Sequence, residues 1–492
     1  MQFKISTIIR KNKKQLNFII FLTIIVLGFY LRFQTAIEKS FVLDETSIFK
    51  TSQLSLKKLI LMEHWDKIHP QLFYIFIHFW SKINTTAIFL RIPTIISFIP
   101  AAILVFLIGK NLKNHISGLI SAFIFSIHPF FVNLGFQQKM YGFEIVFMLT
   151  SLYSNIQIIK TKKTKKWIAL AIISNILAFF TDYSFIWYFI ALTTSTLTLL
   201  FFTTIDKKKL LTILKTILIT TLIISVQAPI FFNALPENLL SASYLGNINF
   251  SNVQATVELF IGAYTLSAKE NILNNYYKYF LLCLSIFLLI KKLLTSKHLY
   301  KKMASLIIIN SFFISLSLSF IISQISPIFI PHNIFCAAFI LIFGIPLLIF
   351  SSSKNRIILS IIFILITTSY FKSLINSSLQ SKQFSGRVPW KTITMFINKY
   401  QNKKTIIFLG KHSYKVSPLR KYYFQGYDND PIIKNYDYFY AKNIYDLLNK
   451  KIIQSNQTII IIDKSLYVSK LSQKRIKNKL GCTVNSCHYI RI

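Results

Sequence analysis

Apolar residues in this chain fall into long, nearly uninterrupted runs. The first extends from about Phe18 to Phe33, and others cover 90–109, 117–134, 142–159, 167–183, 185–203, 210–230, 276–290, 303–325, 333–351 and 357–373, eleven in all. An α-helix needs about 20 such residues to cross a hydrocarbon core of about 30 Å. The pattern predicts a polytopic α-helical membrane protein with about 11 transmembrane helices. One shorter run, Gln71–Trp80 (QLFYIFIHFW), is flanked by His69 and Lys82. Its length predicts an interfacial or re-entrant helix instead of a span.

The connections between runs fix an expected orientation. Arg10, Lys11, Lys13 and Lys14 precede the first run, and no small-residue cleavage site follows it, so it reads as a signal anchor with a cytoplasmic N-terminus. Alternation then places 110–113, 160–166 (KTKKTKK), 206–209, 291–302 and 351–356 inside, and each of these loops is basic. Three long segments fall outside: about 35–89, 231–275, and about 372 to the end.

The last of these changes character. Trp390–Tyr400 has a helical pattern, whereas TIIFLG (Thr405–Gly410), TIIIID (Thr458–Asp463) and CHYIRI (Cys487–Ile492) read as strands. Short continuous apolar strands are what a parallel sheet covered on both faces requires. The expected division is a membrane module over 1–373, with exterior loop 35–89, and a small extracytoplasmic α/β domain over 374–492. Cys482 and Cys487 are close enough in sequence to close a disulfide loop in an oxidising compartment or to remain two thiols. Cys283 and Cys336 lie in apolar runs and read as packing residues.

Composition narrows the function classes. The 492 residues are 53% hydrophobic and 15% charged, with a mean hydropathy of +0.52. That excludes a soluble enzyme, a disordered tail and a nucleic-acid-binding domain. The formal net charge of +40 reads as positive-inside bias together with compositional drift, the abundant Lys, Asn, Ile and Phe fitting an AT-rich genome of which only the Lys adds charge. The remaining reading of that charge is attraction to an anionic lipid or glycan. No G-x-x-x-x-G-K-[ST] loop is present, so no motif supports ATP-driven transport.

The scarce acids locate candidate chemistry. Five of sixteen, Glu38, Asp44, Glu45, Glu63 and Asp66, share the exterior loop after the first run. A carboxylate held at a membrane boundary can serve as a general base when it is near the proton it removes. Asp44 and Glu45 are adjacent, so on one helix they point in different directions, and one can react while the other orients. A solvated turn is the plainer reading. His69, followed by Pro70, is placed to bind a phosphate or polarise a leaving group, or to cap and pack.

The order of these residues resembles the GT-C glycosyltransferases, most closely the protein-mannosyltransferase-like branch that includes the lipid A aminoarabinose transferases. That family carries D-E in its first exterior loop and later H-P-P-L-Y-Y; here the residues are Asp44-Glu45 and His69-Pro70-Gln71-Leu72-Phe73-Tyr74. Arg91 matches an Arg that opens the family's second span. The family's Q-E-A-R-M-Y appears as Phe136-Gln137-Gln138-Lys139-Met140-Tyr141, with Lys139 for the Arg and Gln137 for the acid. Thr181-Asp182-Tyr183 stands for T-H-Y, and Pro331-His332-Asn333 for P-R-Y/N. Trp390 and Pro418-Leu419-Arg420-Lys421-Tyr422-Tyr423 match elements of the exterior domain.

The resemblance implies an integral membrane enzyme that takes a sugar from a polyprenyl-phosphate donor outside the cytoplasm, with inversion. Asp44 is then the implied general base and Glu45 an orienting carboxylate. Lys139 is the first candidate to neutralise the leaving phosphate, with His69, Arg91 and His332 as further donors. Lysine in place of arginine keeps the charge and loses the bidentate fork. Tyr141, Trp65 and Tyr183 either stack on substrate or form an interfacial aromatic belt. Glu258 and Glu270 lie where the family has a mobile loop.

The implied partners are the lipid-phosphate donor, membrane lipid, and a glycan, lipid or protein acceptor, with no nucleic acid. A cell-envelope acceptor such as lipid A fits a bacterial inner-membrane protein. No cofactor is specified, no dedicated metal cage is legible, and a divalent metal is compatible with the wider fold. A lipid transporter would place charges at mid-membrane on broken helices in two related halves. A non-catalytic scaffold is the other alternative.

Overall fold

A computed structural model of the chain describes residues 2–39, 41–63, 69–204, 206–227, 229, 248–262, 272–324, 328–348, 364–365, 367–371 and 374, with four strands between 405 and 491. Two compact units are distinguished. One comprises Met1–Thr35, Ser55–Phe76 and Arg91–Ser378, and the other comprises Ala36–Leu54, Ile77–Leu90 and Leu379–Ile492.

The helices in chain order are α1 (Gln2–Glu38), α2 (Leu43–Ser52), α3 (Leu56–Ile60), α4 (Gln71–Trp80), α5 (Ala87–Leu112), α6 (His115–Ile127), α7 (Pro129–Phe136), α8 (Tyr141–Lys160), α9 (Lys165–Thr181), α10 (Phe185–Phe202) and α11 (Lys207–Ser225). They continue with α12 (Phe250–Phe260), α13 (Ile272–Thr295), α14 (Leu299–Ile322), a 3-10 helix at Pro331–Ala338, and α15 (Phe339–Leu348). In the first unit α8 packs on α9, α14 on α10 and α13, and α15 on α13 and α6. Exposed Phe201, Phe202, Leu218, Leu222 and Phe313 give this bundle an apolar exterior suited to lipid.

Among the described residues, five helices are long and apolar enough to cross a membrane: Gln15–Glu38, Ala87–Leu112, Tyr141–Lys160, Phe185–Phe202 and Leu299–Ile322. A sixth span arises if the bent pair α6–α7 is counted as one. The sequence reading expected eleven, and specific features account for most of the difference. Helix α9 has 17 residues, and α11 opens on three lysines with a fourth at Lys215. The run at 333–351 is divided between a 3-10 helix with a non-helical Ile334 and the short α15, which contains Pro346. Most of 357–373 lies outside the described residues.

The 62° bend between α6 and α7 is set by Pro129 and stabilised by Arg32. Proline has no N–H for the Phe125 carbonyl, and the turn at His128 removes the helical donor from the Ser126 carbonyl. The guanidinium of Arg32 supplies both, at 3.4 Å to Phe125 O and 3.0 Å to Ser126 O, and also bonds Gly28 O at 2.9 Å. Its plane lies 4.0 Å from the Phe98 ring centroid. A buried arginine is thereby accommodated by carbonyls and an aromatic face, one of the few ways an apolar interior tolerates it.

In the second unit, α2 begins with half of a capping box: Glu45 Oε2 accepts the Val42 backbone N–H at 2.9 Å. Asp44 is exposed and Glu45 fully buried, so the adjacent carboxylates do diverge. Gln53 Nε2 donates to Ser81 Oγ at 3.0 Å, and Trp80 Nε1 donates to Phe89 O at 2.9 Å. The sheet consists of β1 (Thr405–Leu409), β2 (Tyr436–Tyr440), β3 (Thr458–Asp463) and β4 (Cys487–Arg491), in the order β2-β1-β3-β4. All three pairings are parallel, with Thr405 opposite Tyr436 and Thr458, and Ile459 opposite Cys487. Three strands fall on the apolar runs read from sequence; β2 was not anticipated. Trp390–Tyr400, the 418–423 element and Cys482 lie outside the described residues.

Candidate functional site

Polar groups inside the first unit collect where α4, α5, α8 and α10 begin and α9 ends. His69 precedes α4, and Pro70 starts the turn into it. His69 Nδ1 lies 3.2 Å from Asp182 Oδ2, with the histidine partly exposed and the aspartate buried. Asp182 ends α9 in an extended conformation, and its Oδ1 accepts the Ser184 backbone N–H at 2.8 Å. Ser184 then donates its hydroxyl to Glu144 Oε1 at 2.6 Å. Glu144 sits in the first turn of α8 and is fully buried, with Oε2 unbonded among the described residues.

The four side chains form one connected polar network. Burial alone pushes the Asp182 carboxyl up; the contact with and charge of His69, together with the Ser184 bonds, outweigh it and hold the group below its ordinary value. Asp182 therefore remains an anion facing an imidazole.

A second cluster lies on the same turn of chain. Lys139 is nearly buried, its ammonium 5.5 Å from the Tyr141 ring, and the Tyr141 ring is 5.1 Å from that of His332. The Lys139 carbonyl accepts from Thr94 Oγ1 at 3.3 Å. His332 is carried by the 3-10 helix, whose first residue is Pro331. Arg91 is fully buried, with its guanidinium 5.5 Å from the Phe136 ring. Tyr141 and Glu144 are three residues apart on α8 and share a face, which joins the two clusters. Gly142 permits the close approach of α5, because a Cβ there would lie 2.4 Å from Ser97 Oγ.

At the margin, Met62 adopts a left-handed φ of 53°. Its Sδ lies 3.3 Å from Gln227 Nε2 and 3.8 Å from the Tyr183 hydroxyl. Gln227 also donates to Gln71 Oε1 at 3.0 Å, tying the start of α4 to the end of α11. Glu258 accepts from Tyr279 at 3.1 Å and Gln254 at 3.0 Å.

Of the residues in the sequence reading, the first unit holds His69, Arg91, Lys139, Tyr141 and His332; Lys139, Tyr141 and His332 are neighbours, His69 faces Asp182, and Arg91 lies against Phe136. Asp44 and Glu45 belong to the second unit; Trp65 and Glu270 lie outside the described residues. Glu144 and Ser184 were missed. The available signal was an acid inside an apolar run, an expensive placement that is functional by default. Chemically, the surroundings of α4, α8 and the α9–α10 junction offer buried cations at Arg91 and Lys139 and the ionised carboxylate of Asp182. Donors so placed favour a substrate that carries or develops negative charge. Among the described residues, no group of three or more His, Cys, Asp or Glu side chains could hold a metal ion.

Comparison with known proteins bears on the family and the fold. Residues 68–231, about a third of the chain, match the dolichyl-phosphate-mannose-protein mannosyltransferase family. The fold is similar to the archaeal oligosaccharyltransferase AglB from Archaeoglobus fulgidus, solved with an inhibitory peptide and a dolichol-phosphate. That similarity has a TM-score of 0.50 at 12% identity, covering 80% of this chain and 62% of that one. The apo oligosaccharyltransferase of the same organism aligns with a TM-score of 0.49 at 11% identity, over 84% of this chain and 64% of that one. This chain therefore spans less than two thirds of either structure's length. No curated protein matches it by sequence. The family match and the fold bear out the GT-C resemblance read from the motifs.

Proposed function

We propose that this chain is a membrane glycosyltransferase that moves a sugar from a polyprenyl-phosphate donor to an acceptor outside the cytoplasm, inverting the anomeric carbon. The observation that carries the reading is an overlap. The mannosyltransferase-family match over 68–231 contains His69, Arg91, Lys139, Tyr141 and the whole Asp182–Ser184–Glu144 network.

In this reading Asp44 removes the proton of the acceptor hydroxyl as that oxygen attacks the anomeric carbon. The glycosyl–phosphate bond breaks, and the electron pair leaves on the polyprenyl phosphate. Lys139 is the first group to offset that developing charge, with His69, Arg91 and His332 as further donors. Glu45, which caps α2, orients the segment carrying Asp44. Tyr141, beside Lys139 and His332, is the aromatic candidate for stacking on the sugar.

The membrane module over 1–373, the exterior α/β domain over 374–492 and the cytoplasmic N-terminus are parts of the same proposal. So is residence in a bacterial inner membrane. The lipid-phosphate donor is supported by the dolichol-phosphate bound to AglB. A cell-envelope lipid or glycan is the leading acceptor. A protein hydroxyl is the alternative, favoured by the family's protein-directed relatives.

The test is transfer from a panel of radiolabelled polyprenyl-phosphate sugars to extracted envelope lipids and to unfolded protein, using the chain purified in lipid. Label moving from one carrier to one acceptor class supports the reading and names both. Donor bound but never consumed, with every acceptor class present, favours a non-catalytic scaffold.

A further inference from the structure

The helices that carry the site at one end carry lysines at the other. Helix α5 carries Arg91 near its start and Lys110 near its end, with Lys113 just beyond it; α8 runs from Tyr141 to Lys160, and α9 begins at Lys165 and ends beside Asp182. Four cations meet at this far end. Lys113 Nζ donates to the Leu347 carbonyl at 3.2 Å, and Lys160 Nζ donates to Asn111 Oδ1 at 2.8 Å. The Lys160 and Lys301 ammoniums lie 5.7 Å and 5.8 Å from the same Tyr300 ring. Lys292, in the last turn of α13, repels Lys113 on one side and Lys301 on the other. Partial burial and the charge of Lys292 pull Lys113 down to about 8.

Positive-inside bias explains lysines in these loops, but not their convergence. Solvated lysines splay apart, since each long stem is free to carry its charge into water. Here the fold sets Lys160 and Lys301 at the Tyr300 ring, with Lys292 close enough to repel Lys113 and Lys301. Among the described residues the carboxylate at this end is Asp206, which pairs with Lys209 at 3.8 Å. The cluster lies at the ends of apolar helices, and α13 presents exposed Phe287 and Leu294 on either side of Lys292 in sequence. Cations at the rim of an apolar face match a lipid, whose phosphate lies level with the headgroups and whose chains run along the helix.

We propose that Lys113, Lys160, Lys292 and Lys301 form a binding site for the phosphodiester headgroup of an anionic phospholipid. The site is separate from the proposed transfer chemistry and does not depend on it.

The experiment measures lipid retained by the purified full chain, by native mass spectrometry, after exchange with equimolar phosphatidylglycerol and phosphatidylcholine. The site predicts selective retention of phosphatidylglycerol. Lys292→Gln with Lys301→Gln should weaken it about fivefold per lysine, from the usual worth of a lysine at an anionic surface. Lys162→Gln with Lys163→Gln removes the same charge from the exposed loop and should leave the preference intact. Melting temperature checks that both variants fold. Equal retention of the two lipids overturns the proposal, as does an equal loss in both variants. Displacement of the lipid by millimolar inorganic phosphate, with the same dependence on Lys292 and Lys301, would assign the cluster to a soluble anion and overturn the lipid assignment.

Discussion

Asp182 Oδ2 lies 3.2 Å from His69 Nδ1, joining the residue that ends α9 to the residue that opens α4. An imidazole paired through Nδ1 with a buried carboxylate has its ring orientation fixed. Asp182→Asn should therefore reduce transfer about tenfold or more, and His69→Gln similarly. The double variant should cost little beyond either single change, because coupled residues are not additive. Turnover measured across the four proteins of this cycle checks the pairing; additive losses would separate the two residues.

The same carboxylate sets an acid limit. The folded-state value of Asp182 is depressed, so its contribution to stability is complete above the ordinary carboxylate range. That contribution falls away as pH drops below about 4 and through the folded value. Thermal melts of the wild type from pH 6 to pH 3 should show this decline. In Asp182→Asn the part of the decline due to this group should vanish.

Asp44 and Glu45 should separate cleanly by stability. Glu45 bonds the N-terminal backbone of α2, so Glu45→Ala should lower stability by about 1 kcal/mol, as losing a cap does. Asp44 is exposed, and Asp44→Asn should leave the melting temperature unchanged within about 0.5 kcal/mol. Equal destabilisation by both would contradict the division between a structural and a reactive carboxylate.

Gly142 is a packing test of the site. In Gly142→Ala the new methyl would meet Ser97 Oγ at 2.4 Å, Thr94 Cγ2 at 2.8 Å and the Thr94 backbone oxygen at 3.2 Å. Relief requires Ser97 and Thr94 to leave their rotamers or α8 to move away from α5. Overpacking of this kind costs about 1–3 kcal/mol. Denaturation of the purified variant should show that loss, and an unchanged midpoint would mean the helices are not held so closely.

Arg32→Met tests the bend between α6 and α7. It keeps the volume but strands the Phe125 and Ser126 carbonyls in the bundle. Each unsatisfied buried group costs about 1–3 kcal/mol. A large loss of thermal stability is expected, with much less from Arg32→Lys.

Much of the bundle was legible because an apolar run of sufficient length has few other uses. The strands at Thr405–Leu409 and Thr458–Asp463 were legible for a related reason: they are continuous, short and β-branched. Tyr436–Tyr440 (YDYFY) has no aliphatic residue and an acid at its second position, so the same criterion passed over it. His69, Lys139, Tyr141 and His332 were marked by motif order, whereas Glu144 and Ser184 depend on contacts between α8 and the α9–α10 junction. A sequence displays Ser184 as one of many serines; only the fold sets its hydroxyl 2.6 Å from a buried carboxylate. The α6–α7 bend was likewise hidden. Pro129 marks a boundary, but the stabilising partner, Arg32, is distant in sequence and reads there as an arginine near the end of a span.

The central claim is that a carboxylate of the first exterior loop drives sugar transfer from a lipid phosphate. The most direct measurement is transfer by wild type and Asp44→Asn side by side, using the chain purified in lipid with a labelled polyprenyl-phosphate sugar and envelope acceptors. The account predicts transfer by the wild type and loss by about 100-fold or more in the variant, in keeping with removal of a general base, at equal melting temperature and equal donor binding. Equal transfer by the two proteins would contradict it.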